Sequence, residues 1–290
     1  MKTISHDFSS NSDLAPLARV VNALQAATAP LRMEFFLMGA AARDLWLTHA
    51  HGIDIKRQTE DVDFAVMLDD WKSFDTLRES LLAGGEFIGR PGPATHRLLH
   101  QPTGLPLDIV PFGGIERADR TIAWPPDQST VFDCFGAKEA LSASQWVCLP
   151  EQAELRVASI PALTLLKISA WQDRRYTHPG RDAYDLFLYL RNYFDCGTFE
   201  RATDDHADLF AVPNDEYDYK TAGARLLGRD IASLLDHAAI GRVEAILLPE
   251  ASTETTQVLA QQSGIDREEA RALIRALLRG LTDNMQKSDK

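Results

Sequence analysis

The fold is decided by the stretch Thr59-Glu60-Asp61-Val62-Asp63-Phe64-Ala65-Val66, in which two aspartates alternate with apolar residues. Residues i and i+2 of a β-strand point to the same side. A strand over residues 61–67 therefore places Asp61 and Asp63 side by side on one face, with Val62, Phe64 and Val66 filling the other. Two neighbouring carboxylates repel each other unless a cation neutralises them. The stretch thus predicts a strand that carries a cation site.

Two other segments complete this pattern. Phe36-Leu37-Met38-Gly39-Ala40 leads from an apolar strand through a glycine into a predicted helix. Backbone N–H groups at a helix start attract phosphate, and glycine lets a phosphate approach closely. Asp108 lies in a second short apolar run, Leu105-Pro106-Leu107-Asp108-Ile109-Val110. Three such carboxylates on neighbouring strands would form an oxygen-rich site for Mg²⁺ or Mn²⁺, and two ions can hold the phosphates of a nucleotide.

Each of these acids also has a simpler interpretation. Asp61 and Asp63 can be solvated residues at the start of a strand, and Asp108 can be an edge-strand residue that faces water. Asp54 is a competing acid, but it has no same-face partner in a clear strand, and we interpret it as a loop residue. The combination of the paired aspartates, the glycine turn and the third acid favours the cation site.

The order of patterns along the chain predicts an α+β protein. A small mixed sheet with flanking helices occupies the N-terminal half, and helical periodicity dominates from Pro161 onward. We therefore predict two domains, residues 1–158 and residues 159–290. Residues 113–126 and 195–219 are predicted as loops, and residues 146–157 as a short hairpin at the edge of the sheet.

Composition excludes several classes of protein. The 290 residues are 45% hydrophobic and 25% charged, as in an ordinary globular protein. No apolar run approaches the roughly 20 residues that cross a bilayer. The N-terminus has no apolar signal core, and the three cysteines form no CxxC pair, so we expect a cytoplasmic protein without disulfides or structural zinc. No P-loop and no GxSxG motif occurs.

The net charge of −12 comes from 42 acidic and 30 basic residues. Such a chain binds nucleic acid only through a local basic patch, so the overall charge counts mildly against a large RNA substrate. The same charge suits a cationic small molecule.

Several motifs resemble those of polymerase-β-type nucleotidyltransferases, which include CCA-adding enzymes. The segment Met38-Gly39-Ala40-Ala41-Ala42-Arg43-Asp44-Leu45 is similar to their glycine and Arg-Asp opening. Residues 59–66 resemble their metal-binding strand, and residues 107–112 the strand with the third carboxylate. More specifically, the chain resembles the AbiEii/MenA toxins of type IV toxin–antitoxin systems. Their lysine-bearing helix and following Asp-x-x-Asp-Leu motif correspond to residues 167–174 and 181–186.

The resemblance implies transfer of a nucleoside monophosphate from a nucleoside triphosphate (NTP) to an acceptor hydroxyl, for some toxins on tRNA, and an antitoxin partner. Ala40 stands where relatives commonly have serine or glycine, so a hydroxyl contact to phosphate is missing and backbone donors would hold the phosphate. The implied metal ligands and catalytic acids are Asp61, Asp63 and Asp108. Lys167 is the implied catalytic cation, and the implied nucleotide-binding residues are Gly39, Ala40, Arg43, Lys167, Arg174 and Asp185.

The helical residues leave alternatives open. Lys167, Trp171 and Arg174 share one helix face, where the two cations either hold a triphosphate or form a solvated basic edge. Asp185 either orients Lys167 or Arg174 or makes a structural salt bridge. Arg43 either contacts phosphate or is a solvated helix residue, and Asp44 favours the start of its helix.

Two other functions compete with the toxin-like nucleotidyltransferase. An aminoglycoside-type enzyme would share the metal strand but modify a small cationic acceptor. A degenerate, non-catalytic fold would only bind nucleotide, and Ala40 favours this interpretation weakly, whereas the three aspartates speak against it.

Overall fold

The computed structural model describes residues 3–56, 61–90, 95–211, 217–255 and 257–283. Its strands are β1 (Ile4–Asp7), β2 (Phe35–Met38), β3 (Val62–Leu68), β4 (Phe87–Gly89), β5 (Arg97–His100), β6 (Leu105–Gly113), β7 (Thr121–Ala123), β8 (Val131–Asp133), β9 (Gln145–Cys148) and β10 (Glu154–Val157). Its α-helices are α1 (Ala15–Thr28), α2 (Gly39–Asp44), α3 (Trp71–Ala83), α4 (Ala137–Ser142), α5 (Ile160–Arg174), α6 (Arg181–Asn192), α7 (Phe199–Asp205), α8 (Tyr219–Ala232), α9 (His237–Ala251), α10 (Val258–Ser263) and α11 (Arg267–Asp283).

The chain divides into two compact units, Met1–Ser159 and Ile160–Lys290. This division lies one residue beyond the boundary that the sequence predicts. Whether each unit folds independently stays a prediction. All ten strands of the described residues belong to the N-terminal unit, whereas the described part of the C-terminal unit is helical. The predicted mixed α/β fold with a helical C-terminal region is therefore confirmed.

The main sheet is mixed, with the strand order β1-β9-β10-β2-β3-β6-β5-β4 in the described residues. Strands β3 and β6 run parallel at its centre, while β2 and β5 pair antiparallel with their outer sides. Val62, Phe64 and Val66 are buried as the alternating pattern predicts. Residue pairs Asp63–Asp108 and Phe64–Ile109 are aligned across the central pair.

Helices α1 and α3 contact each other, and each buries an apolar stripe. In α1 the stripe consists of Leu17, Val20, Val21 and Leu24, at the three- and four-residue spacing of a helix face. Asp70 caps α3 by accepting a hydrogen bond from the backbone N–H of Ser73 at 2.7 Å. This capping aspartate explains why α3 starts directly after β3.

Three sequence predictions are corrected by the structure. The predicted edge hairpin is formed by β9 and β10, but β10 pairs with β2 and β9 pairs with β1, so both strands are internal. The predicted loop over residues 113–126 contains β7, and the one over residues 195–219 contains α7. The first loop is predicted from its content of glycine, proline and charge, and the second from acidity and weak periodicity. Strand β7 is only three residues long, so its pairing with β8 decides its conformation more than its local sequence does.

In the C-terminal unit, α8 and α11 cross at two glycines. A Cβ added to Gly228 would lie 2.2 Å from the backbone oxygen of Leu277, and one added to Gly280 would lie 2.0 Å from that of Arg225. Such distances leave no room for any side chain, so the two helix backbones are in contact. Asp283 at the end of α11 accepts hydrogen bonds from Arg225 and Arg229 on α8.

Gly228→Ala should therefore destabilise the C-terminal unit by about 2 kcal/mol or more, because the two helices must separate to admit the methyl group. Gly241→Ala is the matched control: Gly241 lies in α9, and a Cβ there meets nothing within 4 Å. The control should gain about 0.5–1 kcal/mol from helix propensity. Urea unfolding followed by far-UV circular dichroism measures both changes. Equal behaviour of the two variants would disprove the close crossing.

Candidate active site

The parallel register of β3 and β6 brings two of the predicted acids together. Asp63 is aligned with Asp108, and aligned residues of neighbouring strands project to the same face of a sheet. Asp61 lies two residues before Asp63, immediately outside the first residue of β3. Asp63 is half-buried, and Asp108 is 9% exposed. Two carboxylates therefore lie side by side at the centre of the sheet, with a third close in sequence.

Gly39 contacts Asp63 where β2 ends. Met38, the last residue of β2, is aligned with Asp63, so the next residue turns away directly beside the carboxylate. Gly39 has a φ of +69°, and a Cβ at this position would lie 2.0 Å from Asp63 Oδ2. Glycine is thus required both by the left-handed backbone and by the space that the carboxylate occupies. Ala40 follows in the first turn of α2 and is half-buried.

Asp108 lies in a mixed electrostatic environment. Burial raises its pKa, the nearby positive charge of Arg97 opposes this effect, and the negative charge of Asp61 adds to it. The net result is a raised pKa. Arg97 is aligned with Asp108 across β5 and β6, and its Nε lies 3.3 Å from Asp108 Oδ2. The negative charge of Asp61 therefore acts on the Asp108 carboxylate.

The donor chemistry of these acids fits a hard divalent cation. Carboxylate oxygens are the ligands that Mg²⁺ prefers, and clustered carboxylates need a counter-charge. Within the residues that the structure describes, no group of three or more histidine, cysteine, aspartate or glutamate side chains has a spacing that would hold a metal ion. The assignment of Asp61, Asp63 and Asp108 as metal ligands therefore stays a prediction. The described part of the chain also contains no helix long and apolar enough to span a bilayer.

The implied nucleotide-binding residues of the C-terminal unit form a buried ion network. Lys167 Nζ lies 2.9 Å from Asp182 Oδ1 and 2.7 Å from Asp185 Oδ2. Arg174 donates to both oxygens of Asp182, from Nε at 2.7 Å and from Nη2 at 2.9 Å. Asp182 and Asp185 are almost fully buried, at 2% and 1% exposure. Asp185 is therefore paired with Lys167 across α5 and α6, a geometry that fits both an orienting role and a structural salt bridge.

Asp182 is the centre of this network. Burial alone would raise its pKa, but the hydrogen bond from Arg174 and the positive charges of Lys167 and Arg174 outweigh burial and lower the pKa to about 2. Trp171, on the same helix, is buried and donates from Nε1 to Gln262 Oε1 at 2.9 Å. Of the two alternatives for this helix face, the solvated basic edge does not describe Lys167 and Trp171, which are packed and paired.

The structure agrees with neither interpretation of Arg43 that the sequence allows, a solvated helix residue or a phosphate ligand. Its side chain is fully buried, and Nε and Nη2 lie 2.8 Å and 2.6 Å from Asp44 Oδ1. A buried guanidinium that is paired in this way supports α2 and is not placed to contact a phosphate directly. Asp54 is exposed, in agreement with its interpretation as a loop residue.

Two residues that contact the predicted site residues, Arg97 and Asp182, are not themselves predicted as site residues. The two strands and the intervening Pro-Thr-Gly turn predict a hairpin whose register, counted outward from Gln101–Gly104, places Arg97 opposite Asp108. Asp182 lies in the Asp-x-x-Asp-Leu motif one turn before Asp185, so its partnership with Lys167 was also within reach of the sequence.

A family model matches residues 22–284, and its description is nucleotidyl transferase AbiEii toxin, type IV toxin–antitoxin system. The chain belongs to the AbiEii family. It is therefore a member of a nucleotidyltransferase family, as the motifs predict. A search of curated proteins finds no match for this AbiEii family member.

Solved structures resemble the chain at low sequence identity. An antigenic nucleotidyltransferase-like protein from Paracoccidioides brasiliensis is 18% identical, with a TM-score of 0.40, over 69% of this chain and 92% of that one. The antibiotic-resistance factor ANT(2'')-Ia is 12% identical, with a TM-score of 0.36, over 67% and 94% of the two chains. A tRNA nucleotidyltransferase solved with a primer tRNA and an incoming ATP analog is 14% identical, with a TM-score of 0.24, over 92% and 87%.

The contact between Gly39 and Asp63 predicts a specific sensitivity to Gly39→Ala. Gly52→Ala is the matched control, because Gly52 also has a left-handed φ, +67°, but has nothing within 4 Å of a Cβ. The control should cost about 1 kcal/mol through backbone strain alone. Gly39→Ala should cost clearly more, because the methyl group must displace the Asp63 carboxylate.

Guanidinium unfolding followed by tryptophan fluorescence measures this difference, since four of the five tryptophans, Trp46, Trp71, Trp124 and Trp146, lie in the N-terminal unit. Equal losses in the two variants would show that only the backbone conformation matters.

Asp182→Asn should destabilise the C-terminal unit in a pH-dependent manner. Because the folded pKa of about 2 lies below the ordinary value of 3.8, the charged form contributes about 2 kcal/mol above pH 4. This contribution is lost as the pH falls from about 4 to 2. Urea unfolding of both proteins between pH 7 and pH 2, followed by circular dichroism, should show a difference that shrinks over this interval. A difference that is constant with pH would exclude the charge as its cause.

Proposed function

We propose that this AbiEii family member transfers a nucleoside monophosphate from an NTP to an acceptor hydroxyl in a reaction that depends on Mg²⁺ or Mn²⁺. The observation that carries the proposal is the alignment of Asp63 with Asp108, with Gly39 packed against Asp63. The proposed acceptor is tRNA, and the proposed role is that of a cytoplasmic toxin with a cognate antitoxin. These finer assignments rest on the family description.

The residues of the N-terminal unit would have different roles in the reaction. Asp61, Asp63 and Asp108 would hold the divalent ions, which when bound neutralise the triphosphate and favour an in-line attack. Burial raises the pKa of Asp108, and this carboxylate would accept the proton of the attacking hydroxyl. The hydroxyl oxygen forms a bond to the α-phosphorus as the bond to the pyrophosphate breaks. Backbone amides after Gly39, including that of Ala40, would bind phosphate oxygens.

The residues of the C-terminal unit are assigned to the nucleotide from the family pattern alone. Lys167 would bind the triphosphate and stabilise the charge that develops on it. Asp182 and Asp185 hold the Lys167 side chain in one place, so the side chain would lose little conformational entropy when it binds the nucleotide. Arg174 is 46% exposed while it is paired with Asp182, and its exposed part would be available to a phosphate.

The decisive experiment incubates the protein with each labelled NTP and either total tRNA or an aminoglycoside panel, with and without Mg²⁺. Asp63→Asn and Asp108→Asn should each lower transfer by at least about 100-fold, because each removes a metal-binding charge. Asp54→Asn, which neutralises an exposed acid outside the group, should behave like the wild type. Full activity in either of the first two variants would refute the assignment.

An aminoglycoside-type function is the second candidate, and the net charge of −12 favours a cationic acceptor of this kind. Label that appears on aminoglycosides and not on tRNA would establish it. Magnesium-dependent NTP binding by calorimetry, without transfer to either acceptor, would instead establish a degenerate binding module.

A further inference from the structure

We propose that the loop between α5 and α6, residues 175–180, is a docking surface for single-stranded polynucleotide. The loop and its two flanking residues read Arg174-Arg175-Tyr176-Thr177-His178-Pro179-Gly180-Arg181, between Asp173 and Asp182. Arg174 is paired with Asp182, so the positive charge offered to a ligand comes from Arg175 and Arg181. In a chain whose net charge is −12, this is a local basic patch of the kind that phosphate binding requires.

Aromatic and guanidinium groups are layered in this loop. The Arg175 guanidinium carbon lies 5.1 Å from the centre of the Trp171 ring and 5.0 Å from that of the Tyr176 ring. Trp171 is buried beneath, whereas Tyr176 is 75% exposed. The outermost layer is therefore the aromatic ring of Tyr176, which exposes apolar surface to water and has a positive charge beside it. Unpaired bases stack on such rings irrespective of their sequence, and the charge attracts the adjoining phosphates.

The loop is held in place by hydrogen bonds of its own. The backbone N–H groups of Thr177 and His178 donate to the carbonyl of Arg174 at 3.1 Å and 2.9 Å. Gln262 donates to the carbonyl of Arg175 at 2.6 Å while accepting from Trp171. The position of the loop is therefore set before any ligand binds, which reduces the entropy lost on binding.

The chemistry favours single-stranded polynucleotide over other anionic partners. A duplex buries its base faces and would leave Tyr176 without a stacking partner. An acidic peptide would pair with the arginines but would make no use of an exposed planar ring. Glu250 is buried and its charge acts on Arg175, so the positive charge of the patch is moderate and the aromatic surface matters for binding. Only the identity of the polynucleotide as the acceptor rests on the proposed function.

The test measures binding of a labelled 12-nucleotide single-stranded RNA to the full chain by fluorescence anisotropy, in EDTA and without NTP, so that transfer plays no part. Tyr176→Ala should weaken binding by about 5- to 100-fold, whereas Tyr176→Phe, which keeps the ring, should bind like the wild type. Arg175→Gln should weaken binding and lower its dependence on salt by about one charge. Tyr217→Ala is the control, since Tyr217 is another exposed tyrosine of the same unit, at 40%.

Several outcomes would overturn the inference: no binding of single-stranded RNA by the wild type at 50 mM salt, equal binding by Tyr176→Ala, or an equal loss in Tyr217→Ala. Stronger binding of a duplex or of a poly-glutamate peptide to the same loop would also overturn it. Failure of the transfer assay leaves this result standing, because binding that depends on Tyr176 is measured without catalysis. Conversely, transfer to a small molecule that Tyr176→Ala leaves intact would support the proposed chemistry and not this surface.

Discussion

The lateral register between β3 and β6 is the constraint on which the candidate site depends. A shift of one residue would turn Asp63 toward the apolar face and expose Phe64 or Val66, which are fully buried. The apolar face thus fixes where the carboxylate points. Gly39 is required by the position of Asp63, and Arg97 meets Asp108 because β5 continues the same register. Packing of the apolar side chains on one face of the sheet therefore determines which carboxylates project from the other face.

The buried acids of the two units differ in their charged neighbours. In the C-terminal unit, Asp182 and Asp185 are paired with Lys167 and Arg174, so charge is locally balanced and the pKa of Asp182 falls. In the N-terminal unit, Asp108 is near another acid and its pKa is raised despite Arg97. Neighbouring carboxylates repel each other, and a bound cation would reduce this repulsion. This contrast supports the proposal that divalent ions bind in the first unit.

Local sequence patterns predict much of the fold and of the candidate site. The features that they do not predict depend on pairing between residues distant in sequence. The alternation around Asp61 and Asp63 and the glycine after Met38 are short-range signals, and β3 and the start of α2 lie where they indicate. The internal position of β9 depends on its pairing with β1, and that of β10 on its pairing with β2, and no local pattern reveals either one. The burial of Arg43 was unpredictable for a similar reason, because its pairing with Asp44 looks like an ordinary surface pair in sequence.

The net charge of the chain does not by itself decide what a single local surface binds. At physiological ionic strength, charges separated by more than about 8 Å are largely screened. A phosphate beside Arg175 therefore responds mainly to charges close to the loop, which include Arg181, buried Glu250 and the paired Arg174 and Asp182. The overall acidity argues against broad, non-specific adsorption of nucleic acid along the protein. A local positive charge beside an exposed ring is thus compatible with the proposed contact to an anionic partner, even in a chain of acidic composition.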